Sequence, residues 1–356
     1  MKRTLTVIAS FISFNAVAQD EKSQISFGGY LETYYSYDFN KPVDGNKPSF
    51  IYSHNRHNEV NVNLALLKVS YVNERIRANL ALMAGTYSNA NLAAENGVLK
   101  NVYEASAGFK LSKTKNLWVD AGIFGSHIGF ESAISKDCWT LTRSLLADNT
   151  PYYEAGAKLT YNSDNSKWML CALLLNGWQR ITRVSGNSTL GVGTQVAYKP
   201  SEKLTLNWST FIGNDKPDSV KQMRYYNNFY GIVQLTNKLG VTVGFDYGIE
   251  QKSKGSTQYN NWYSPVFIAR YAFSDKFAMA GRVEYYHDEN GVIIVTDTEN
   301  GFKTLGYSVN FDYLPITNVA IRWEGRLLES KDKIFTRDER AVNQDAFVTT
   351  SIAIAF

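Results

Sequence analysis

Along most of the chain, apolar and polar residues alternate one for one. In "TLGYSVNFDYLP", Leu305, Tyr307, Val309, Phe311 and Tyr313 stand against Gly306, Ser308, Asn310 and Asp312. "NVAIRWEGRL" opposes Val319, Ile321, Trp323 and Leu327 to Arg322, Glu324 and Arg326. "LGVTVGFDYGIE" opposes Val241, Val243, Phe245 and Tyr247 to Thr242, Asp246 and Glu250. Successive side chains of a strand point to opposite faces, so a period of two predicts strands with one greasy and one polar face. Such runs fall near 24–39, 58–72, 75–86, 102–112, 116–127, 152–162, 167–178, 188–199, 203–213, 222–236, 239–250, 262–273, 276–287, 303–314, 318–329 and 345–356. That is about sixteen strands, longer than the ~5–6 residues usual in soluble sheets and close to what a tilted membrane strand needs.

The connections alternate between tight and long. Tight ones read "VNER", "SKTKN", "NSDNS", "KPSEK", "TNK", "FSDK" and "LPITN", all of turn chemistry. Long ones fall near 40–57, 87–101, 128–151, 179–187, 214–221, 251–261, 288–302 and 330–344. A soluble sandwich has no reason to keep that parity over a whole chain. An antiparallel transmembrane β-barrel does, with short periplasmic turns and long extracellular loops. Aromatic residues on the apolar phase mark both strand ends. Tyr71, Phe109, Tyr161, Tyr198, Phe273, Phe277, Tyr313 and Phe356 fall beside tight turns, and Tyr35, Tyr37, Tyr103, Tyr153, Tyr225, Tyr247, Tyr263 and Tyr285 toward long loops. Two girdles at the membrane boundaries are expected. The final strand, with Val348, Thr350, Ile352, Ile354 and Phe356 on its apolar face, is expected to pair with the first and close the barrel. Three segments break the pattern. "NVNLALLKVSY" slips phase between Leu64 and Leu67, which predicts a bulge. "WMLCALLLNGW" is apolar on both faces, as a strand facing a plug or a neighbouring subunit would be. Asn227 falls on the lipid side.

Composition agrees with a large sheet: Tyr 23, Phe 19 and Trp 7 against Pro 7, with 44% hydrophobic residues. After the N-terminus no apolar run is long enough for a helical span. The start, "MKRTLTVIASFISFNAVAQ", has the basic residues Lys2 and Arg3, a short apolar stretch and the small residues Ala16-Val17-Ala18. It is expected to be a secretory signal peptide, residues 1–19, leaving 20–356 as one barrel domain. The formal charge of +4 becomes +2 once Lys2 and Arg3 leave, which makes no case for nucleic acid. Cys138 and Cys171 form no disulfide framework and are expected to be unpaired.

The stretch from Gly122 to Tyr161, between the fifth and sixth strands, is the most distinctive. Ile134, Cys138, Leu141 and Leu145 have helical spacing, with Ser135 as a start and Pro151 beyond the end, which predicts a short amphipathic helix. Its apolar face needs a surface, and the inner barrel wall offers one. Folded inward, the loop would present Trp139, Thr142 and Arg143, with Glu131, Lys136 and Asp137, to the channel; packing outside on other loops is the alternative. The motifs "GFE" at Gly129-Phe130-Glu131, "TRS" at Thr142-Arg143-Ser144 and "PYYEAG" at Pro151 to Gly156 resemble the OmpL-like β-barrel porins of Gram-negative outer membranes. The likeness covers some forty residues and otherwise agrees in layout. It implies the barrel fold and an outer-membrane location, and brings no binding residues with it.

Together these observations lead us to expect a passive diffusion channel for small hydrophilic solutes in the bacterial outer membrane, with lipid as its surroundings and no cofactor or metal. The expected pore-constriction loop residues are Glu131, Lys136, Asp137, Trp139 and Arg143. The expected pore-wall residues are Arg282, Glu284, Arg322, Glu324 and Arg326, whose opposed signs would set a transverse field. Pairing among these charges would equally fix the wall. Monomer and trimer are both open. The histidines His54, His57, His127 and His287 show no local nucleophile arrangement. Two further readings are a hydrolase, with His127 or the His54 and His57 pair meeting Ser or Asp at the rim, and a binding or structural barrel with a filled lumen.

Overall fold

The computed structural model describes residues 23–356; the expected signal peptide lies outside the described residues. Strands β1 (Gln24–Asp38), β2 (Val60–Val72), β3 (Ile76–Ala84), β4 (Val102–Lys110), β5 (Asn116–Gly125) and β6 (Tyr153–Asn162) come first. They are followed by β7 (Trp168–Leu175), β8 (Gly191–Ser201), β9 (Leu204–Gly213), β10 (Arg224–Gln234), β11 (Leu239–Gln251) and β12 (Tyr259–Ala272). Then come β13 (Phe277–Asp288), β14 (Phe302–Tyr313), β15 (Val319–Ser330) and β18 (Gln344–Ala355). These sixteen form one closed antiparallel barrel in chain order. Between β15 and β18 the last long loop carries a small hairpin of β16 (Phe335–Arg337) and β17 (Arg340–Val342), which the alternation pattern does not announce. Short helices α1 (Thr86–Asn91) and α2 (Leu145–Asp148) lie in two other long loops.

Alternation is what makes these segments strands, and burial follows it. On β14, Phe302, Thr304, Ser308, Asn310 and Asp312 are buried inward, while Leu305, Tyr307, Val309 and Phe311 are exposed outward. The tight turns are held by side chains that accept backbone N–H groups two or three residues on. Asn73 Oδ1 takes Arg75 and Ile76 at 2.9 and 2.7 Å, and Thr236 Oγ1 takes Lys238 and Leu239 at 3.1 and 3.0 Å.

The barrel closes between β1 and β18, with Tyr30 opposite Ala355 and Asp38 opposite Phe347. Phe356 continues the ladder by exchanging both backbone hydrogen bonds with Gly29, at 2.7 and 3.0 Å. Its ring lies over Gly29 on the outer face, where a Cβ would meet the ring at 2.3 Å and push it aside. On the same end Trp168 stacks on Tyr198 at 4.2 Å and Phe277 on Tyr313 at 4.9 Å. At the long-loop end Tyr263 lies 6.1 Å from Tyr285.

Several expectations need correction. The bulge sits at Asn63, because Glu32 faces Leu64 and Thr33 faces Val62; it turns both Asn63 and Leu64 inward. A second bulge beside Tyr103 and the buried packing of Tyr153 remove these two tyrosines from the outer girdle. Asn227 does face outward, where its Oδ1 accepts the Trp208 indole N–H at 3.0 Å. The doubly apolar β7 faces a filled interior: Leu173 and Leu175 pack with Phe124, Ile128 and Phe211 inside the barrel.

Candidate functional site

The loop between β5 and β6 turns into the barrel and crosses it. Ser126 and His127 tie its start to Glu154 on β6, at 3.2 and 2.9 Å. His127 Nε2 and carbonyl then contact the Thr210 carbonyl and Ser209 hydroxyl of β9 at 2.8 and 2.7 Å. Gly129 N–H donates to Asn228 Oδ1 on β10 at 3.1 Å. Further on, Ser135 donates to Glu32 and shares a 3.0 Å hydrogen bond with Tyr30, both on β1. The chain then rests on β13–β15. Leu141 N–H donates to Asn310 Oδ1 at 3.0 Å, Thr142 N–H to Glu324 Oε2 at 2.5 Å, and Leu145 N–H to Glu284 Oε2 at 2.5 Å.

The wall arginines satisfy the loop's carbonyls. Arg282 Nη1 donates to Thr142 O at 2.7 Å, Arg322 Nη1 to Ser135 O at 2.6 Å, and Arg326 Nη1 to Arg143 O at 2.9 Å. Each also pairs with a carboxylate: Arg282 with Glu324 (3.0 Å), Arg322 with Asp312 (2.7 Å) and Arg326 with Glu284 (2.6 Å). An irregular segment away from water must find partners for every backbone N–H and C=O, and arginine forks with carboxylates supply both kinds.

This arrangement corrects the expected roles of Arg282, Glu284, Arg322, Glu324 and Arg326. They do point inward, but the loop covers them, and all five are 3% exposed or less. Arg143 is also buried and does not face an open channel. It donates to Ser132 O, Leu141 O and Ala133 O at 2.5, 2.7 and 3.1 Å, folding the loop on itself. Glu131 accepts the Ser144 N–H at 3.1 Å and the Ser144 hydroxyl. The expected helix from Ser135 is replaced by a single 3-10 turn, Ser135–Asp137, then an irregular, bent segment and α2, capped by Ser144. Wall partners satisfy the backbone there in place of helical hydrogen bonds. Of the expected constriction residues, Asp137 remains exposed and Lys136 half-buried. Trp139 is half-buried against β11, where a Cβ on Gly240 would lie 2.7 Å from its ring.

Accessible inward charge lies mainly on another part of the wall. Lys68 on β2 pairs with Glu104 on β4 at 2.6 Å, the side chains 38% and 15% exposed. Arg77 on β3 pairs with Asp120 on β5 at 2.5 Å, 30% and 6% exposed. Arg270 on β12 stands 3.7 Å from Asp312 and is likewise partly open. Parity alone puts these residues on the inner face; that they stay uncovered depends on where the loop comes to rest, which no local pattern encodes.

Three of the histidines are held by separate partners. Both ring nitrogens of His127 are engaged, with Glu154 and the Thr210 carbonyl. His54 lies fully buried, 3.2 Å from Glu32, and His57 Nδ1 accepts the Asp38 N–H at 2.9 Å, so the pair is split between separate partners. Cys138 and Cys171 are free and buried.

A family model described as "Putative beta-barrel porin-2, OmpL-like" matches residues 24–356. No curated protein matches the chain in sequence. Among solved structures, the chain is similar to an anion-selective porin from Comamonas acidovorans, with a TM-score of 0.64 at 10% identity over 94% of this chain and 100% of that one. It is also similar to the outer membrane channel DcaP of Acinetobacter baumannii, with a TM-score of 0.62 at 10% identity over 95% and 99%. OmpT of Vibrio cholerae, in its trimer form, gives 0.62 at 12% identity over 94% and 100%. At such identities the likeness is one of fold.

Proposed function

The chain belongs to the OmpL-like β-barrel porin-2 family of outer-membrane porins, and from that premise we propose that it passes small hydrophilic solutes by passive diffusion along a lane left open beside its infolded loop. The observation that carries this reading is the asymmetry of the inner wall. The loop is pinned to β13–β15 and covers their charges, whereas Lys68, Arg77 and Glu104 on β2–β4 stay partly open. On the loop Asp137 stays exposed and Lys136 half-buried, and rows of both signs order water and polar solutes without sealing a path.

Proteoliposome swelling tests the proposal. Monosaccharides and amino acids should enter, and the rate should fall steeply for trisaccharides. Apolar packing of Phe50, Leu145, Phe302 and Phe335 within the barrel favours a second reading, a filled barrel. Under that reading no solute enters at any size.

A further inference from the structure

The first long loop, residues 39–59, dips into the barrel. Phe50 packs edge-on against Phe302, and Ile51 joins the same interior cluster. Beyond them His54 is fully buried. Its backbone lies in the left-handed region, at φ 53°, which an L side chain adopts only at a cost. Asn63 Oδ1 on β2 accepts its N–H at 2.9 Å and holds it there.

His54 and the infolded loop share one carboxylate. His54 Nε2 stands 3.2 Å from Glu32 Oε1 on β1, and the Ser135 hydroxyl donates to the same oxygen. Asn63 Nδ2 donates to the other oxygen at 2.9 Å. With its Nε2–H turned to Glu32, a neutral imidazole keeps Nδ1 as an acceptor, and Nδ1 is buried with no hydrogen-bond partner. A proton added at Nδ1 creates a buried N–H with nothing to accept it, on a ring that then carries charge.

The surroundings do not make up for that charge. Glu32 attracts it, but Arg143 of the infolded loop and Lys47 of the first loop face it with like sign. Tyr34 of β1 stands edge-on with ring centres 5.1 Å apart, its hydroxyl engaged with Thr86 and the Arg56 N–H. Burial holds the His54 imidazole below its ordinary value of 6.5 in spite of Glu32. Once the loop leaves the barrel the imidazole recovers that value, so undocking takes up a proton and is favoured as pH falls below it.

We propose that His54 is an acid-sensitive latch on the first long loop: neutral, it holds the loop down beside Glu32 and Ser135, and protonated, it lets the loop leave the barrel mouth. A plain ion pair would do the reverse, since acid would charge the histidine and tighten it.

Labelling of Ser53→Cys with a neutral maleimide, on the full chain in detergent, tests the latch. Residue 53 is 1% exposed next to His54, and Ser253→Cys, in an exposed loop, corrects for the thiol's own pH dependence. The corrected rate should rise as pH falls from about 7.5 to about 5, by up to about tenfold per pH unit, the slope of one proton. Adding His54→Gln should leave it low and flat. Should Gln hold the loop poorly and leave residue 53 open at every pH, Lys47→Gln decides. Burial pulls the Lys47 ammonium down only to about 7, so it is charged where His54 titrates, and its removal should move the labelling midpoint to higher pH. A rate that does not rise in acid, an equal rise with His54→Gln, or a midpoint unmoved by Lys47→Gln overturns the latch. Labelling does not depend on conduction, so a failed latch leaves the diffusion reading standing.

Discussion

Thr142 holds Glu324 with two groups at once, its backbone N–H on Oε2 at 2.5 Å and its hydroxyl on Oε1 at 2.9 Å. Glu324 of β15, which Arg282 also grips at 3.0 Å, is therefore one anchor of the loop's middle, beside Asn310 and Arg322. In Glu324→Gln an amide nitrogen replaces one acceptor and Arg282 keeps only Glu284, 3.2 Å away, as its paired carboxylate. Breaking one side of a buried pair costs on the order of 3 kcal/mol. The expected result is a looser loop, seen in planar bilayers as higher conductance with more flicker than wild type. Conductance and noise equal to wild type would show that the loop is held elsewhere.

Loss of Phe356 should impair assembly far more than Ala355→Ser. Deletion removes the ring over Gly29 and both hydrogen bonds that extend the closing ladder, exposing a strand edge. Ala355→Ser leaves all three. The fraction of chain that migrates faster unheated than boiled, measured in outer-membrane extracts, reports the difference.

Ion selectivity should be weak, because Lys68 is matched by Glu104 and Arg77 by Asp120, and Arg270 shares Asp312 with Arg322. Arg77→Gln leaves Asp120 uncompensated and should shift permeability toward cations by about two- to threefold. Arg143→Ala should leave the reversal potential in place and raise current noise, since Arg143 staples loop carbonyls away from the path. Reversal potentials under a salt gradient decide both points.

The strands were legible because parity is a local property: Leu305 to Tyr313 and Val348 to Phe356 state their faces residue by residue, and the observed burial follows them. The infolded loop was legible only as an apolar segment needing a surface. Helical spacing at Ile134, Cys138, Leu141 and Leu145 lost to tertiary contacts, because Arg322 takes the carbonyls of Ser135 and Cys138. Parity likewise placed Arg282 and Arg77 on one inner face without distinction. Which of them stays wet is set by a loop more than a hundred residues away from Arg282, outside the reach of any pattern along the chain.

We predict that conduction runs past β2–β4 while the wall behind the loop is sealed. Single-channel current during perfusion of a charged methanethiosulfonate tests it most directly, using Lys68→Cys and Ser308→Cys, the latter on β14, where the side chain is 4% exposed. The account predicts stepwise loss of current for Lys68→Cys and none for Ser308→Cys. Equal block at Ser308→Cys, or a wild-type barrel that carries no current, would contradict it.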